Sequence, residues 1–150
     1  MRNHALVALC AAALLASPMA RAANCSIDLV SDDLMKFDKT SVTVDARCPE
    51  ITINLTHSGQ LPAAAMGHNV AIAATDVWQA AAQDGIKGGL EGGYVMAGDT
   101  RIIAHTAIIG GGQTTSVSFP GSALTAGTAY TFFCTFPGHW TVMKGELVVR

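Results

Sequence analysis

The chain has 150 residues, of which 50% are hydrophobic and 13% are charged, and nine basic residues stand against eleven acidic ones. This length fits one domain. The net charge of −2 gives no sign of the clustered basic surface that nucleic-acid binding needs. The apolar fraction is too high for a disordered chain. We therefore expect one compact monomeric domain that binds no nucleic acid.

The first 22 residues have the pattern of a secretory signal peptide. Arg2 precedes an apolar run at residues 5–16, and the segment ends in Ala20-Arg21-Ala22, whose small outer residues suit a signal peptidase. A membrane anchor is the alternative, but the apolar run is too short to cross a hydrocarbon layer of ~30 Å. The sequence predicts cleavage after Ala22, a domain at residues 23–150 and export to the periplasm without membrane insertion.

Short apolar or alternating segments, separated by turns that contain glycine or proline, follow along the rest of the chain. They lie at residues 26–30, 41–46, 51–57, 69–74, 101–109, 114–119, 129–134 and 145–149. About eight short strands between turn signals predict an all-β sandwich or barrel.

One segment interrupts this series of strands. Residues 76–83 (DVWQAAAQ) are helix formers, Asp76 and Gln79 have the spacing of a capping pair, and Gly85 offers an end. We predict a short helical insertion near residues 76–86, with a polar, alanine-rich loop as the alternative.

Three cysteines remain after cleavage: Cys25, Cys48 and Cys134. An odd number in an exported protein suggests one disulfide and one thiol with another task. Spacing alone does not decide among the three possible pairings. Cys25 and Cys48 flank strand-like segments, whereas Cys134 lies near His139 and Met143, so we favour a Cys25–Cys48 disulfide.

Candidate metal ligands are concentrated before the last strand. Cys134, His139 and Met143 supply a thiolate, an imidazole and a thioether, and His68 supplies a second imidazole. Each residue alone is more often a structural one. Together, a thiolate, two imidazoles and a weak axial thioether are the ligand set of blue copper sites. The combination therefore indicates copper.

These segments resemble the azurins, blue copper proteins of the cupredoxin family. The resemblance extends over nearly all of residues 23–150 and includes NCSIDL, ITINLTHSGQLP, MGHN, DGIKGGL, RIIAHTAIIG, FFCTFPGH and MKGELVV. The spacing of four residues between Cys134 and His139, and three between His139 and Met143, matches this group. The resemblance implies a Greek-key cupredoxin fold that holds one type 1 copper ion. It also implies that the protein carries single electrons and is not an enzyme.

The resemblance also implies roles for individual residues. His68, Cys134 and His139 would be strong copper ligands, with Met143 and the Gly67 carbonyl as axial contacts. The implied disulfide is again Cys25–Cys48, and Asn69 would link the two ligand segments by hydrogen bonds. An apolar patch for transient docking of redox proteins is implied at Met35, Leu61, Met66, Phe136, Pro137, Gly138 and Val142.

Three positions depart from the azurin pattern, and two histidines are left without a copper role. Val70 stands where a tryptophan is expected, Ile86 where a methionine is expected and Trp140 where a small residue is usual, but none of these changes removes a donor. His57 is interpreted as a buried neighbour of the site or a structural histidine, and His105 as a surface residue.

Copper storage or delivery is the alternative function, since it would use similar donors. A delivery protein is expected to have exposed, flexible ligands. Copper enzymes of this fold need a further copper site with more histidines than the sequence offers.

Overall fold

The computed structural model describes residues 23–150, so the predicted signal peptide lies outside the described residues. Eight strands form two sheets, in the spatial orders β1-β3-β6 and β2-β8-β7-β4-β5. The strands are β1 Ser26–Ser31, β2 Ser41–Val44, β3 Glu50–His57, β4 Ala71–Ala74, β5 Ile102–His105, β6 Thr114–Pro120, β7 Tyr130–Phe133 and β8 Lys144–Val149. Two helices, α1 Ala63–Met66 and α2 Trp78–Gly85, lie on either side of β4 in the chain.

The two sheets confirm the all-β, Greek-key prediction. Consecutive strands β1 and β2 lie in different sheets, where β1 pairs in parallel with β3 and β2 in parallel with β8. In β3 the alternating sequence buries Ile51, Ile53 and Leu55 against the opposite sheet. This packing makes the rigid base from which the loops at one end project.

The second sheet is covered on both faces, which explains why β7 is buried along its whole length. The inner face joins the main core through Phe132. The outer face carries Phe133, Ala71 and Ala73, and it packs against Trp78 and Ala82 of α2. The helical insertion therefore acts as a cover for the sheet that leads to Cys134.

The helical insertion near residues 76–86 is confirmed, and its helix starts two residues after the beginning of the predicted segment. The helix α2 begins at Trp78 rather than at residue 76, and its N-cap residue, Val77, makes no side-chain cap bond. The Val77 N–H instead donates to the Ala74 carbonyl, so a backbone turn leads from β4 into the helix. The expected Asp76–Gln79 capping pair is consequently not needed.

Two predicted strands are shorter than their apolar patterns. Regular pairing of β4 with β5 stops at Ala71 and His105. Beyond that point a single bridge joins His68 to Ile109, with N–O distances of 3.0 and 2.9 Å. Residues 68–70 therefore lie outside the regular sheet, and the two hydrogen bonds to Ile109 hold the His68 backbone in place.

The disulfide prediction is confirmed, since Cys25 and Cys48 are bonded with a Cα–Cα distance of 5.6 Å. Among residues 23–150, Cys134 is the free cysteine, and it is buried. Within the same range no helix is both long and apolar enough to cross a membrane.

Candidate metal centre

Three of the predicted ligands converge at one end of the sandwich. The Cys134 sulfur lies 3.9 Å from His68 Nδ1 and 3.8 Å from His139 Nδ1, and the two nitrogens are 3.2 Å apart. All three residues are buried. A thiol and two imidazoles thus meet although His68 is 66 residues from Cys134 in the chain.

The backbone of His68 and its ring are both held in place. Its backbone bridges to Ile109, and its ring Nε2 lies 2.8 Å from the Asp32 carbonyl oxygen. Because a carbonyl can only accept, the Nε2 atom carries the proton and Nδ1 presents a lone pair to the site. Such an outer hydrogen bond fixes both the tautomer and the direction of a metal-binding histidine.

The loop from Cys134 to Met143, called the ligand loop below, is closed by its own backbone. The Cys134 N–H donates to the Met143 carbonyl at 3.0 Å, and the Met143 N–H donates to the His139 carbonyl at 2.8 Å. The His139 N–H in turn donates to the Phe136 carbonyl at 3.0 Å. These bonds pin both ends of the ligand loop to strands β7 and β8.

The two imidazoles are in the protonation state that a cation needs, whereas the thiol must lose its proton to bind one. Burial lowers the pKa of His68, and burial together with His68 lowers the pKa of His139 to about 4. Burial raises the pKa of the Cys134 thiol to about 11, although backbone N–H groups of Asn69 and Phe136 act in the opposite direction. Both imidazoles are therefore neutral at pH 7, and only a bound cation would hold the sulfur as a thiolate.

The two nitrogen–sulfur separations fit a metal ion. With bonds of about 2.0–2.1 Å to nitrogen and about 2.3 Å to sulfur, a trigonal ion separates nitrogen from sulfur by about 3.8 Å. The observed separations are 3.8 and 3.9 Å. A soft thiolate with two imidazoles in this arrangement is a donor set that suits copper.

The two residues predicted to supply axial groups adjoin the site. The Gly67 carbonyl oxygen is 4.0 Å from the Cys134 sulfur. A Cβ atom at position 67 would collide with the Ala63 carbonyl and the Ile108 side chain, so only glycine lets this carbonyl come so close. Met143 is fully buried and joined through its backbone to Cys134 and His139.

Asn69 links the two ligand segments, as the resemblance implied. Its Oδ1 atom accepts a hydrogen bond from the Thr135 N–H at 2.9 Å. Asn69 follows His68 and Thr135 follows Cys134, so this bond joins the positions next to the two ligands. The carbonyl of Asp32 is a partner that the sequence analysis missed, because a backbone acceptor leaves no signal in the residue type.

The remaining histidines have separate roles. His57 is fully buried, its Nε2 donates to the Met66 carbonyl at 2.9 Å and its Nδ1 accepts the Gly59 N–H at 3.0 Å. It is therefore a structural histidine bonded by the backbone. His105 is half-buried, with its Nδ1 3.2 Å from the Thr106 carbonyl oxygen, and it is more enclosed than the surface residue expected.

Val70 and Trp140, which depart from the azurin pattern, are accommodated differently. Val70 is fully buried in the main core. Trp140 is half-buried and turns toward the insertion, with its ring centroid 6.1 Å from that of Trp78. The tryptophan next to His139 therefore packs against the cover of the sheet.

The predicted docking patch is only partly exposed. Met35 and Leu61 are 40% and 42% exposed and Val142 is 62% exposed, whereas Met66, Phe136 and Pro137 are half-buried. Gly138 is exposed. Leu34, at 72% exposed, is a neighbouring apolar residue that the sequence analysis did not include.

Comparison with known proteins agrees with this geometry. Residues 23–150 match the family described as copper binding proteins, plastocyanin/azurin family. The azurin of Alcaligenes faecalis is 52% identical over 123 residues, which cover 82% of this chain and 96% of that protein. The azurin of Pseudomonas denitrificans is 48% identical over 85% of this chain and 100% of its own length. The solved azurin Az-iso2 of Methylomonas sp. strain J superimposes with a TM-score of 0.81 at 41% identity, covering 85% of this chain and 99% of that one.

Proposed function

Because the chain belongs to the plastocyanin/azurin family of copper-binding proteins, we propose that it carries single electrons between redox proteins of the periplasm. In this proposal His68, Cys134 and His139 bind one copper ion, with Met143 and the Gly67 carbonyl as weaker axial contacts. The convergence of one buried sulfur and two imidazole nitrogens within 3.9 Å of one another carries the proposal.

The proposed mechanism assigns the chemistry to copper and the geometry to the protein. A bound copper ion would supply a one-electron couple between its two oxidation states. The chain's own residues hold the donors in one arrangement, since Asp32 fixes the His68 ring and Asn69 fixes the segment after Cys134. Burial of all three donor residues excludes water. A site that cannot rearrange freely lowers the reorganisation needed when an electron arrives or leaves.

His139 is the proposed point of electron entry and exit. It is 5% exposed, and its ring packs on Phe136 with a centroid distance of 4.5 Å. Cys134 continues directly into β7, which gives the sulfur a covalent connection to the interior. His139 is thus the most exposed of the three donor residues, since His68 and Cys134 are 0% exposed, and its ring contacts Phe136 of the predicted patch.

The loops that carry the patch are tied together beside the ligands, which supports its role in docking. The Asp33 carboxylate accepts the backbone N–H groups of Gln60 at 2.8 Å and Leu61 at 3.3 Å. Met35 and Leu61 are therefore presented by two loops that are bonded to each other. An exposed apolar patch marks a docking site, and electron-transfer encounters bury less than about 1,200 Å².

Copper delivery is less well supported than electron transfer. A delivery protein is expected to release its ion readily, but these donors are buried and hydrogen-bonded. A copper enzyme of this fold would need a second copper site, yet His57 is occupied by two backbone partners. We therefore propose a carrier that is not an enzyme.

The predicted leader and the disulfide support the proposed location. The leader pattern at residues 1–22 and the Cys25–Cys48 disulfide both suit an oxidising compartment. We propose that residues 23–150 form the mature protein and that it works in the periplasm as a monomer.

Protein-film voltammetry of the copper-loaded protein tests the function. We expect one reversible one-electron wave that is unchanged by nitrite or oxygen. A catalytic current with either substrate would favour an enzyme. Rapid loss of copper to a competing chelator, without a reversible wave, would favour delivery.

A further inference from the structure

We propose that residues 88–94, called the glycine-rich segment below, are a positioning element for the metal centre. They act through Gly93 and Tyr94, two adjacent residues that contact Thr135 and Phe136 near the start of the ligand loop. The inference rests on the proposed copper site, but its first consequence is measurable in the metal-free protein.

The first contact is a buried hydrogen bond between Thr135 and Gly93. The Thr135 Oγ1 atom lies 2.6 Å from the Gly93 carbonyl oxygen and 2.9 Å from Asn69 Oδ1. A hydroxyl has one proton, so it can donate fully to only one of these acceptors. Asn69 Oδ1 already accepts the Thr135 N–H. The shorter distance assigns the hydroxyl proton to Gly93, which connects the segment to the residue after Cys134.

The second contact is aromatic. The Tyr94 ring meets the Phe136 ring edge to face, with centroids 5.2 Å apart, and the Phe136 ring lies 4.5 Å from that of His139. Such pairs contribute about 0.5–1.5 kcal/mol beyond their buried area. The tyrosine therefore supports the His139 ring through Phe136.

The backbone of the segment is specialised for these two contacts. Gly93 and Tyr94 have φ values of 65° and 50°, in the left-handed region. Glycine adopts this region without strain, but tyrosine does so only when its surroundings hold it there. The Tyr94 N–H donates to the Gly89 carbonyl at 2.8 Å, and Gly93 N–H donates to the Leu90 carbonyl at 2.9 Å. These bonds turn the Gly93 carbonyl inward and place the Tyr94 ring on Phe136.

The insertion that carries the segment is itself fixed to the sheet. Arg101, just before β5, binds Asp99 at 2.7 Å and Asp84 of α2 at 3.0 Å. The segment can therefore transmit a restraint to the ligand loop. Without it, the backbone bonds would still close the loop, but Thr135 and the His139 ring would lose their outside support.

A matched pair of threonine variants tests the first contact. Thr135→Val keeps the side-chain shape and removes the bond to Gly93. Thr131→Val is the control, because Thr131 is also buried and bonded, with its hydroxyl 3.0 Å from that of Thr75, but has no contact with a ligand. Thr135→Ser should restore the wild-type behaviour, since it keeps the hydroxyl.

Amide hydrogen exchange of the metal-free protein is the first readout. We expect Thr135→Val to speed exchange in residues 134–143 roughly fivefold, as loss of one net hydrogen bond would. Thr131→Val should leave this loop unchanged. In the copper-loaded protein, Thr135→Val should also shift the visible absorption band and the reduction potential, whereas the control should not.

Tyr94→Ala and Tyr94→Phe test the second contact at a half-buried position where folding is less at risk. The alanine variant should reproduce the effects of Thr135→Val, and the phenylalanine variant should match wild type. Equal behaviour of Thr135→Val and Thr131→Val, with Tyr94→Ala like wild type, would overturn the positioning role. A wild-type protein without a blue copper band would instead contradict the proposed function and leave the exchange measurement valid.

Discussion

His57 lies face to face with His68, with ring centroids 4.5 Å apart and planes inclined by 26°. Its two ring nitrogens are hydrogen-bonded to the Met66 carbonyl and the Gly59 N–H. His57 therefore supports the His68 ring and has no free nitrogen to bind a metal ion. His57→Leu should therefore lower the free energy of unfolding by about 2–4 kcal/mol, because two buried backbone groups lose their partners. Chemical denaturation of the metal-free protein measures this loss.

The same variant should still bind copper with a blue absorption band when it is assayed below its unfolding transition. Loss of the band in folded His57→Leu protein would mean that His57 takes part in binding. A change in stability below about 0.5 kcal/mol would contradict the two buried hydrogen bonds.

Trp140 should be replaceable by phenylalanine but not by alanine. Its Nε1 atom is buried and has no partner within residues 23–150. Trp140→Phe removes this unpaired N–H and keeps a ring against Trp78, so we expect stability within about 1 kcal/mol of wild type. Trp140→Ala should cost about 2–3 kcal/mol, because the outer core of the second sheet loses a large side chain. Thermal unfolding of both variants checks the pair, and equal losses would contradict this packing.

The ion pairs at the insertion should make the stability of the fold depend on pH in the acidic range. A hydrogen bond from the Arg101 side chain lowers the pKa of Asp99, burial raises it, and the Arg101 backbone N–H lowers it further. The net result is a pKa below the usual 3.8. A carboxylate with a lowered pKa stabilises the folded state above its unfolded pKa, and this contribution is lost as the pH falls below about 3.8. Asp99→Asn should thus be less stable than wild type at pH 7, and the difference should shrink below pH 4. A difference that stays constant down to pH 2 would contradict the ion pair.

Docking at the proposed patch should be sensitive to charge. Val142→Lys places a cation beside His139, to whose carbonyl the Val142 N–H already donates at 3.0 Å. Electron self-exchange needs two patches to meet, so like charges should slow it roughly tenfold or more. Line broadening in NMR spectra of mixed oxidation states measures the rate. Ile86→Lys, at a position 48% exposed on the insertion, is the control and should exchange like wild type.

Most of the fold could be predicted because strand periodicity and turn residues are local signals. The eight strands and the insertion follow from such signals, whereas the disulfide is predicted because Cys134 lies among the candidate ligands. Copper as the cofactor is confirmed by the family match and the buried His68, Cys134 and His139 cluster. The predicted ends of the strands are less accurate than the prediction that the strands exist. The apolar run at residues 101–109 continues past His105, where pairing with β4 stops.

The outer support of the site could not be predicted, because it depends on distant backbone groups. The Asp32 carbonyl orients His68, and the Gly93 carbonyl accepts from Thr135, yet any residue type offers a carbonyl. The turn of Trp140 toward Trp78 likewise depends on where α2 lies over the second sheet. Periodicity assigns a residue to a strand or helix, but it does not place one element over another.

X-ray absorption at the copper edge tests the central claim most directly, because it counts the atoms bound to the ion. For copper-loaded wild type we predict one short bond to sulfur and two to imidazole nitrogens, and for Cys134→Ser the sulfur contribution should disappear. A wild-type spectrum with only nitrogen and oxygen neighbours would contradict the account, as would a sulfur that persists in Cys134→Ser at the same short distance.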